Sequence, residues 1–489
     1  MSKIRALASQ TAVYGLSSIV GRILGYLLVP IHTRVLSEAA FGSVVEFYSY
    51  VALFLIILTY GLETAFFRFA EKTNRRQDVM STGFLSILVS SILFFILVFI
   101  FRIPIAELIR YPDQPEYIVM LAGILFFDAL NTIPFADLRA QNKAGKFVII
   151  RLTGIFLNIG LNLFFLLLVP YLAQSGIAPF ESFYHKEDLV LYIFASNLIS
   201  SGLMTLLFLP DLFRTKFVFD FQLWRKMMLY AMPLLVFGLA GVVNEVIDRV
   251  LLKYLLPADI SMAQLGIYGA VYKVSIIMTI FIQAYRYAAE PFFFAQQKDK
   301  NAPQTYATLM TWFVMATSVI FLTTVMYLDI VIYFVDEPFR VGAHVIPILL
   351  IANLLLGVYY NLSVWYKLTD KTKFGAYISI VGAIITLVLN ILWIPIYGYT
   401  GSAWATLIVY AIMVLISYML GRKHYPIPYD LISSFVIIGA AIGFYRFSLL
   451  FNHLPQNAQY LINSLILLTY MFLLFVYKKS MIREALKRS

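Results

Sequence analysis

Apolar runs of about 20 residues recur from one end of this 489-residue chain to the other, and a run of that length crosses about 30 Å of hydrocarbon as a helix. In lipid there is no water to pair with backbone N–H and C=O groups, so each run must satisfy its own hydrogen bonds as a helix. Spans are expected near Thr11–Thr33, Phe41–Phe67, Met80–Phe101, Ile118–Leu138, Phe147–Tyr171 and Leu189–Leu209. A second set is expected near Met228–Leu256, Ala263–Tyr287, Tyr306–Tyr327, His344–Tyr366, Phe374–Ile396 and Gly401–Leu420, and two more near Leu431–Leu450 and Tyr460–Tyr477. The expectation is therefore an all-α integral membrane protein of about fourteen transmembrane helices. Only 13% of residues are charged, against about a quarter in soluble domains, which excludes a soluble enzyme.

The loops carry the orientation. The N-terminal tail, the loops at 68–76, 139–146, 214–226, 298–300, 367–373 and 422–423, and the tail 478–488 hold 25 of the 37 Lys and Arg, while the alternate loops hold 5. Under the positive-inside rule both termini and the first set of loops are cytoplasmic. The net charge of +11 is then explained by topology and contact with anionic lipid, and no nucleic-acid partner is implied. Lys3 and Arg5 precede the first apolar run, and the small Ala6-Leu7-Ala8 lies before it rather than after, so an uncleaved start is expected. The absence of cysteine rules out disulfides and thiolate metal sites. Five scattered histidines suggest no metal centre, and no cofactor is expected.

The second set of spans repeats the first. Phe41-Gly42 falls on Leu265-Gly266 and Tyr48 on Tyr272, while Arg139, Lys143 and Asn162 fall on Lys367, Lys371 and Asn390. Six spans per copy return the chain to the same side, which makes the repeat parallel, an arrangement that encloses a central cavity. Three segments are expected: an N-terminal six-helix lobe at 1–226, a C-terminal six-helix lobe at 227–425, and two accessory helices with a basic tail at 426–489.

Charges inside spans are the most informative residues, since each costs about 2.5–3.5 kcal/mol at a helix centre. Seven are basic (Arg22, Arg151, Arg249, Lys253, Lys273, Arg286, Arg446) and five acidic (Glu46, Glu63, Asp128, Glu245, Asp248). Tyr14, Ser18, Arg22 and Tyr26 recur every fourth residue along one helical face. Tyr268, Tyr272, Ser275, Thr279, Gln283 and Arg286 repeat that stripe on the eighth span, with Lys273 beside it. Such faces line a wet cavity or hydrogen-bond to neighbouring helices. Arg22, Arg249, Lys273 and Arg286 are the candidate substrate-binding groups, because guanidinium and ammonium groups hold phosphate oxygens. Glu46, Glu63, Glu245 and Asp248 are candidate gate or ion-coupling groups, with Asp248 and Arg249 also readable as a structural pair. The one Gly-Lys pair, Gly145-Lys146, lacks the rest of a P-loop, and no loop is large enough for a catalytic domain. Transport is expected rather than enzymatic chemistry.

Asp248-Arg249, Leu265-Gly266-Ile267-Tyr268 with Tyr272-Lys273, and Asn390 leading to Ile394-Pro395-Ile396-Tyr397-Gly398-Tyr399-Thr400-Gly401, together with Gly21-Arg22, Pro30 and Phe41-Gly42, give the chain a resemblance over nearly its whole length. It resembles the multidrug, oligosaccharidyl-lipid and polysaccharide exporter superfamily, and within it the polysaccharide or O-antigen flippases. That resemblance implies two six-helix lobes around a central cavity in the bacterial cytoplasmic membrane, alternating between inward-open and outward-open states. It also implies an undecaprenyl-diphosphate-linked glycan as substrate, membrane lipids and a polysaccharide polymerase or ligase as partners, and energy from an ion gradient or the membrane potential. A peptidoglycan-precursor flippase and a drug or cation antiporter of the same superfamily are the alternatives.

Overall fold

The computed structural model describes residues 15, 19–73, 75–297 and 299–478, and every regular element among them is helical. Eleven helices are long and apolar enough to cross a membrane, or twelve when one bent pair counts as a single span. The difference from fourteen has two sources. The N-terminal part of the expected first span, with Tyr14 and Ser18, lies outside the described residues. The expected eleventh and twelfth spans form one hydrogen-bonded run, Lys373–His424, of 52 residues. At 1.5 Å per residue such a run far exceeds a bilayer. It is broken inside at Gly398, whose φ of 57° and ψ of −142° suit glycine alone.

The helices used below are α1 (Val29–Val35), α2 (Glu38–Thr59), α3 (Leu62–Thr73), α4 (Arg76–Ile100), α5 (Pro115–Ala140), α6 (Ala144–Leu163), α7 (Leu189–Phe213), α8 (Phe221–Leu255), α9 (Ala258–Val274), α10 (Ile276–Gln296), α11 (Ala302–Met326), α12 (Ile346–Leu362), α13 (Lys373–His424), α14 (Leu431–Ser448) and α15 (Gln456–Tyr477). Ser37 starts α2 by accepting the Ala40 N–H at 3.2 Å, and Asp220 starts α8 by accepting that of Leu223 at 2.9 Å. Both satisfy a donor that a helix start leaves without a partner. The expected second span is not continuous: Tyr60 and Gly61 take positive φ and divide α2 from α3. The expected eighth span is bent by 48° between α9 and α10.

Packing divides the chain into two compact units, Met1–Gly266 and Ile267–Ser489. In the first, Leu62, Phe66, Ile87, Leu125, Ile133 and Phe208 form the fully buried centre, and α8 packs along α2, α3 and α4. The repeat expects α8 to open the second lobe, whereas by contact it sits in the first unit. In the second unit α14 and α15 lie on α11, where Tyr470 donates to Ser318 Oγ at 2.7 Å and Asn463 to the Met326 carbonyl at 2.8 Å.

The repeat has a physical counterpart within the first unit. A Cβ on Gly42 would stand 2.2 Å from the Met262 carbonyl oxygen, and one on Gly266 would stand 1.9 Å from that of Glu38. Gly42 and Gly266 are equivalent positions of the repeat, and so are Glu38 and Met262. The contact is thus reciprocal, and only glycine lets the two backbones meet so closely.

Candidate functional site

Three of the eight candidate residues gather in the first unit around the Tyr26 hydroxyl. Arg22 donates a hydrogen bond to it, and Glu245 and Arg249 on α8 lie within electrostatic reach of it. Arg22 is exposed, while Arg249 retains 9% exposure. The Arg249 guanidinium donates to the Glu245 carbonyl at 2.7 Å, and Asp248 accepts the Arg249 backbone N–H at 2.9 Å. The helical spacing that pairs positions four apart therefore joins Arg249 to the backbone of Glu245, and Asp248 caps the next peptide. Two guanidinium groups about one phenol form a patch able to hold phosphate oxygens by charge-assisted hydrogen bonds.

Glu46 is the most deeply buried of the candidate carboxylates. It has no exposed surface and forms an ion pair with Lys253 at 2.9 Å. Tyr50 donates to one of its oxygens and Tyr111 to the other, both at 2.7 Å. Lys253 also donates to the Ile109 carbonyl at 2.5 Å and stands 3.7 Å from the Tyr111 ring centroid. Tyr50 in turn meets Tyr254 at 2.9 Å. This knot joins α2, the last turn of α8 and the loop ahead of α5. Sequence reading noted Lys253 as a charge within a span, but nothing in the local pattern pointed to Glu46 as its partner.

Glu63 takes a different environment: at the start of α3 it pairs with Arg139 at the end of α5, both partly exposed. The Arg139 guanidinium also lies 4.9 Å from the Phe67 ring. An exposed pair of this kind contributes little to stability.

The other two candidate cations belong to the second unit, on either side of the bend. Lys273 is half-buried in the last turn of α9. At the break itself the Ser275 hydroxyl is buried without a hydrogen-bond partner. Arg286 on α10 lies 3.6 Å from Glu290, which Lys367 approaches at 2.6 Å. Its guanidinium stacks 3.9 Å from the Tyr360 ring, and its Nε is buried without a partner. Tyr285 donates to Asn361 at 2.5 Å beside it. Glu290 stands four residues after Arg286 on one helical face; Lys367 was known only as a loop charge. Among the described residues no group of three or more His, Cys, Asp and Glu is placed to hold a metal ion.

A separate groove of about 600 Å³ in the first unit is walled by Tyr60, Val89, Leu93, Trp224, Met228 and Met232. Its walls carry no charged group, which suits hydrocarbon rather than a polar head group.

Comparison with known proteins agrees with this architecture. A search of curated protein sequences found no match. Among solved structures, a lipid II flippase, MurJ, in an inward closed conformation superposes with a TM-score of 0.72 at 14% identity, covering 96% of this chain and 99% of that one. An inward-facing multidrug resistance transporter of the MATE family and MOP superfamily gives a TM-score of 0.64 at 14% identity, over 82% and 93% of the two chains. The Vibrio cholerae MATE transporter VcmN in its bent form gives 0.57 at 13% identity, over 89% and 100%. These likenesses establish the fold, one shared with the lipid II flippase and the MATE transporters. The profile of the polysaccharide biosynthesis protein family matches residues 7–297. The chain, a multi-pass integral membrane protein, belongs to the polysaccharide biosynthesis protein family.

Proposed function

We propose that the protein is a flippase that carries an undecaprenyl-diphosphate-linked oligosaccharide from the cytoplasmic to the outer leaflet of the bacterial cytoplasmic membrane. The observation that carries this reading is the cationic patch of Arg22 and Arg249 about Tyr26 in a chain of the polysaccharide biosynthesis family. The head group is a diphosphate ester, and arginine binds such oxygens in a fork that lysine lacks. Arg22, Arg249, Lys273 and Arg286 bind it in turn as the two six-helix lobes of the repeat, 1–226 and 227–425, alternate in access. The termini stay in the cytoplasm, and the polyprenyl tail remains in lipid. Glu46, Glu63, Glu245 and Asp248 serve as gate or coupling groups, with the Glu46–Lys253 pair as the strongest of these contacts.

Lipid II export is the alternative within the same chemistry, since its head group is also a diphosphate, and the fold similarity to a lipid II flippase supports keeping it. A cation antiporter is disfavoured by the surplus of basic over acidic residues within the spans. Arg22→Ala and Lys273→Ala are expected to lower surface glycan without lowering the amount of protein in the membrane. Arg22→Lys is expected to restore part of it, and Asp248→Asn to affect folding more than export. Normal glycan export by both alanine variants at normal abundance rejects the proposal, as does uptake of cationic dyes that the alanine variants leave intact.

A further inference from the structure

Asp128 stands at the middle of α5, a helix that by length and hydropathy crosses the membrane. It differs from two of the other four intramembrane carboxylates. Glu46 has Lys253, and Glu63 has Arg139, whereas Asp128 forms no ion pair among the described residues. Its surroundings are neutral hydrogen-bonding groups from three mutually packed helices, α2, α5 and α7. The Ser201 hydroxyl lies within hydrogen-bond reach of the carboxyl group and 3.3 Å from Asn197 Oδ1. Asn197 donates to the Tyr48 hydroxyl at 3.1 Å, and Tyr48 is the ionisable neighbour of Asp128. One turn away, Thr205 donates to Asn131 Oδ1 at 3.0 Å, and Asn131 donates to the Ser201 carbonyl at 3.3 Å.

The charges on the other helices packed against α5 stand elsewhere. Arg76 on α4 pairs with Asp137, Glu63 on α3 with Arg139, and Lys146 on α6 with Asp211 on α7, and among the described residues neither these nor Asp78, Arg102, Glu107 or Arg151 forms a salt bridge with this carboxyl group. An ionised carboxylate without a cation in an apolar interior costs so much that the group neutralises instead. A sodium ion would need several converging oxygens. Each of the side-chain oxygens of Asn197 and Asn131 accepts one hydrogen bond, from Ser201 and Thr205, and a proton neutralises the carboxylate without any such set of ligands.

We propose that Asp128 is a proton-carrying group of this transporter: it binds a proton while enclosed by these neutral groups and releases it to water as the transport cycle changes its exposure. The step is an acid dissociation in which the carboxyl O–H bond breaks, its electrons stay on Asp128 and the proton passes to water. Because the group is half-buried and its ring of Ser201, Asn197 and Tyr48 is neutral, a small rearrangement of α2 or α7 that admits water suffices to change its state. Pro134, six residues on, interrupts the hydrogen-bond ladder of α5 and gives the helix a place to bend. This inference rests on the transporter family and not on the identity of the substrate.

The test uses the purified full-length protein in detergent and dicyclohexylcarbodiimide, which reacts with protonated carboxyl groups in apolar settings and leaves a stable acylurea that peptide mass spectrometry can locate. The expected result is an adduct on Asp128 that forms readily near pH ~6, declines several-fold by about pH 9 and is indifferent to sodium. In cells, Asp128→Asn, which keeps shape and neutrality, is expected to reach the membrane in normal amount yet lose most glycan export, with Asp128→Glu restoring part of it. Absence of the adduct from folded protein, or normal export by Asp128→Asn, overturns the proposal. Protection by sodium at constant pH overturns it in favour of a sodium site. Should Asp128→Asn fail to accumulate, the carbodiimide result decides alone. If Arg22→Ala and Lys273→Ala export normally while the Asp128 adduct behaves as expected, the diphosphate reading fails and the proton carrier stands.

Discussion

Breaking the Glu46–Lys253 pair is the perturbation with the clearest expected magnitude. Both side chains are buried, with 0% and 3% of their surface exposed, so neither charge can turn to water when its partner is removed. Glu46→Gln keeps an acceptor for Tyr50 or Tyr111 but leaves the ammonium of Lys253 without a charged partner, beside the Ile109 carbonyl and the rings of Tyr111 and Tyr254. Removing one partner of a buried pair costs about 3–5 kcal/mol, whereas replacing both with neutral groups of similar volume is often neutral or stabilising. The cation–π contact, desolvated here, returns about 2 kcal/mol, which places Glu46→Gln toward the lower end of that range. Lys253→Met is expected to cost a similar amount, because a carboxylate held by two phenols then has no cation. The double variant Glu46→Gln/Lys253→Met is expected to lie within about 1–2 kcal/mol of the parent, giving a coupling energy of several kcal/mol. A reversible unfolding titration in mixed micelles, run on all four proteins, reads this as a double-mutant cycle. If the two single effects simply add, the pair is not a coupled unit, and the argument from desolvation is refuted.

Two further outcomes follow from local geometry. Gly42→Ala and Gly266→Ala each place a Cβ against a backbone carbonyl that cannot swing away, so each is expected to lower the thermal midpoint in detergent by several degrees. Gly25→Ala, where nothing lies within 4 Å of the added Cβ, is the matched control and should leave the midpoint unchanged. Asp430, at the start of α14 and just outside the span, is held down to about 2 by hydrogen bonds from Lys478 and Ser433. Its folded value lies below the ordinary carboxylate value near 3.9, so its stabilising effect is complete above that value and fades as pH falls from about 4 toward 2. Hydrogen exchange at the α14–α15 clamp should quicken across that window, and Lys478→Ala should weaken the acid dependence while the Ser433 hydrogen bonds keep part of it.

What the sequence determined by itself were the properties that the bilayer reads locally. Span after span was legible because hydrocarbon forces each segment to satisfy its own backbone, so about 20 apolar residues carry the signal without reference to the rest of the chain. One contact within a helix was also legible: Arg249 with the turn of Glu245 follows from 3.6 residues per turn. So was the repeat, whose Gly42 and Gly266 match before any coordinates are known. Continuity was less so, because a break such as Tyr60–Gly61 depends on one residue's φ and ψ and leaves the hydropathy of its neighbours untouched. Tertiary structure alone decided that Glu46, one charge among twelve in the spans, takes Lys253 from another helix, and that the equivalent glycines of the repeat meet each other. It also decided that Asp128 is left with neutral neighbours. The physical reason is the same in each case: every helix in a membrane protein is apolar, so composition specifies that helices associate while the partner of a particular polar group depends on which faces meet.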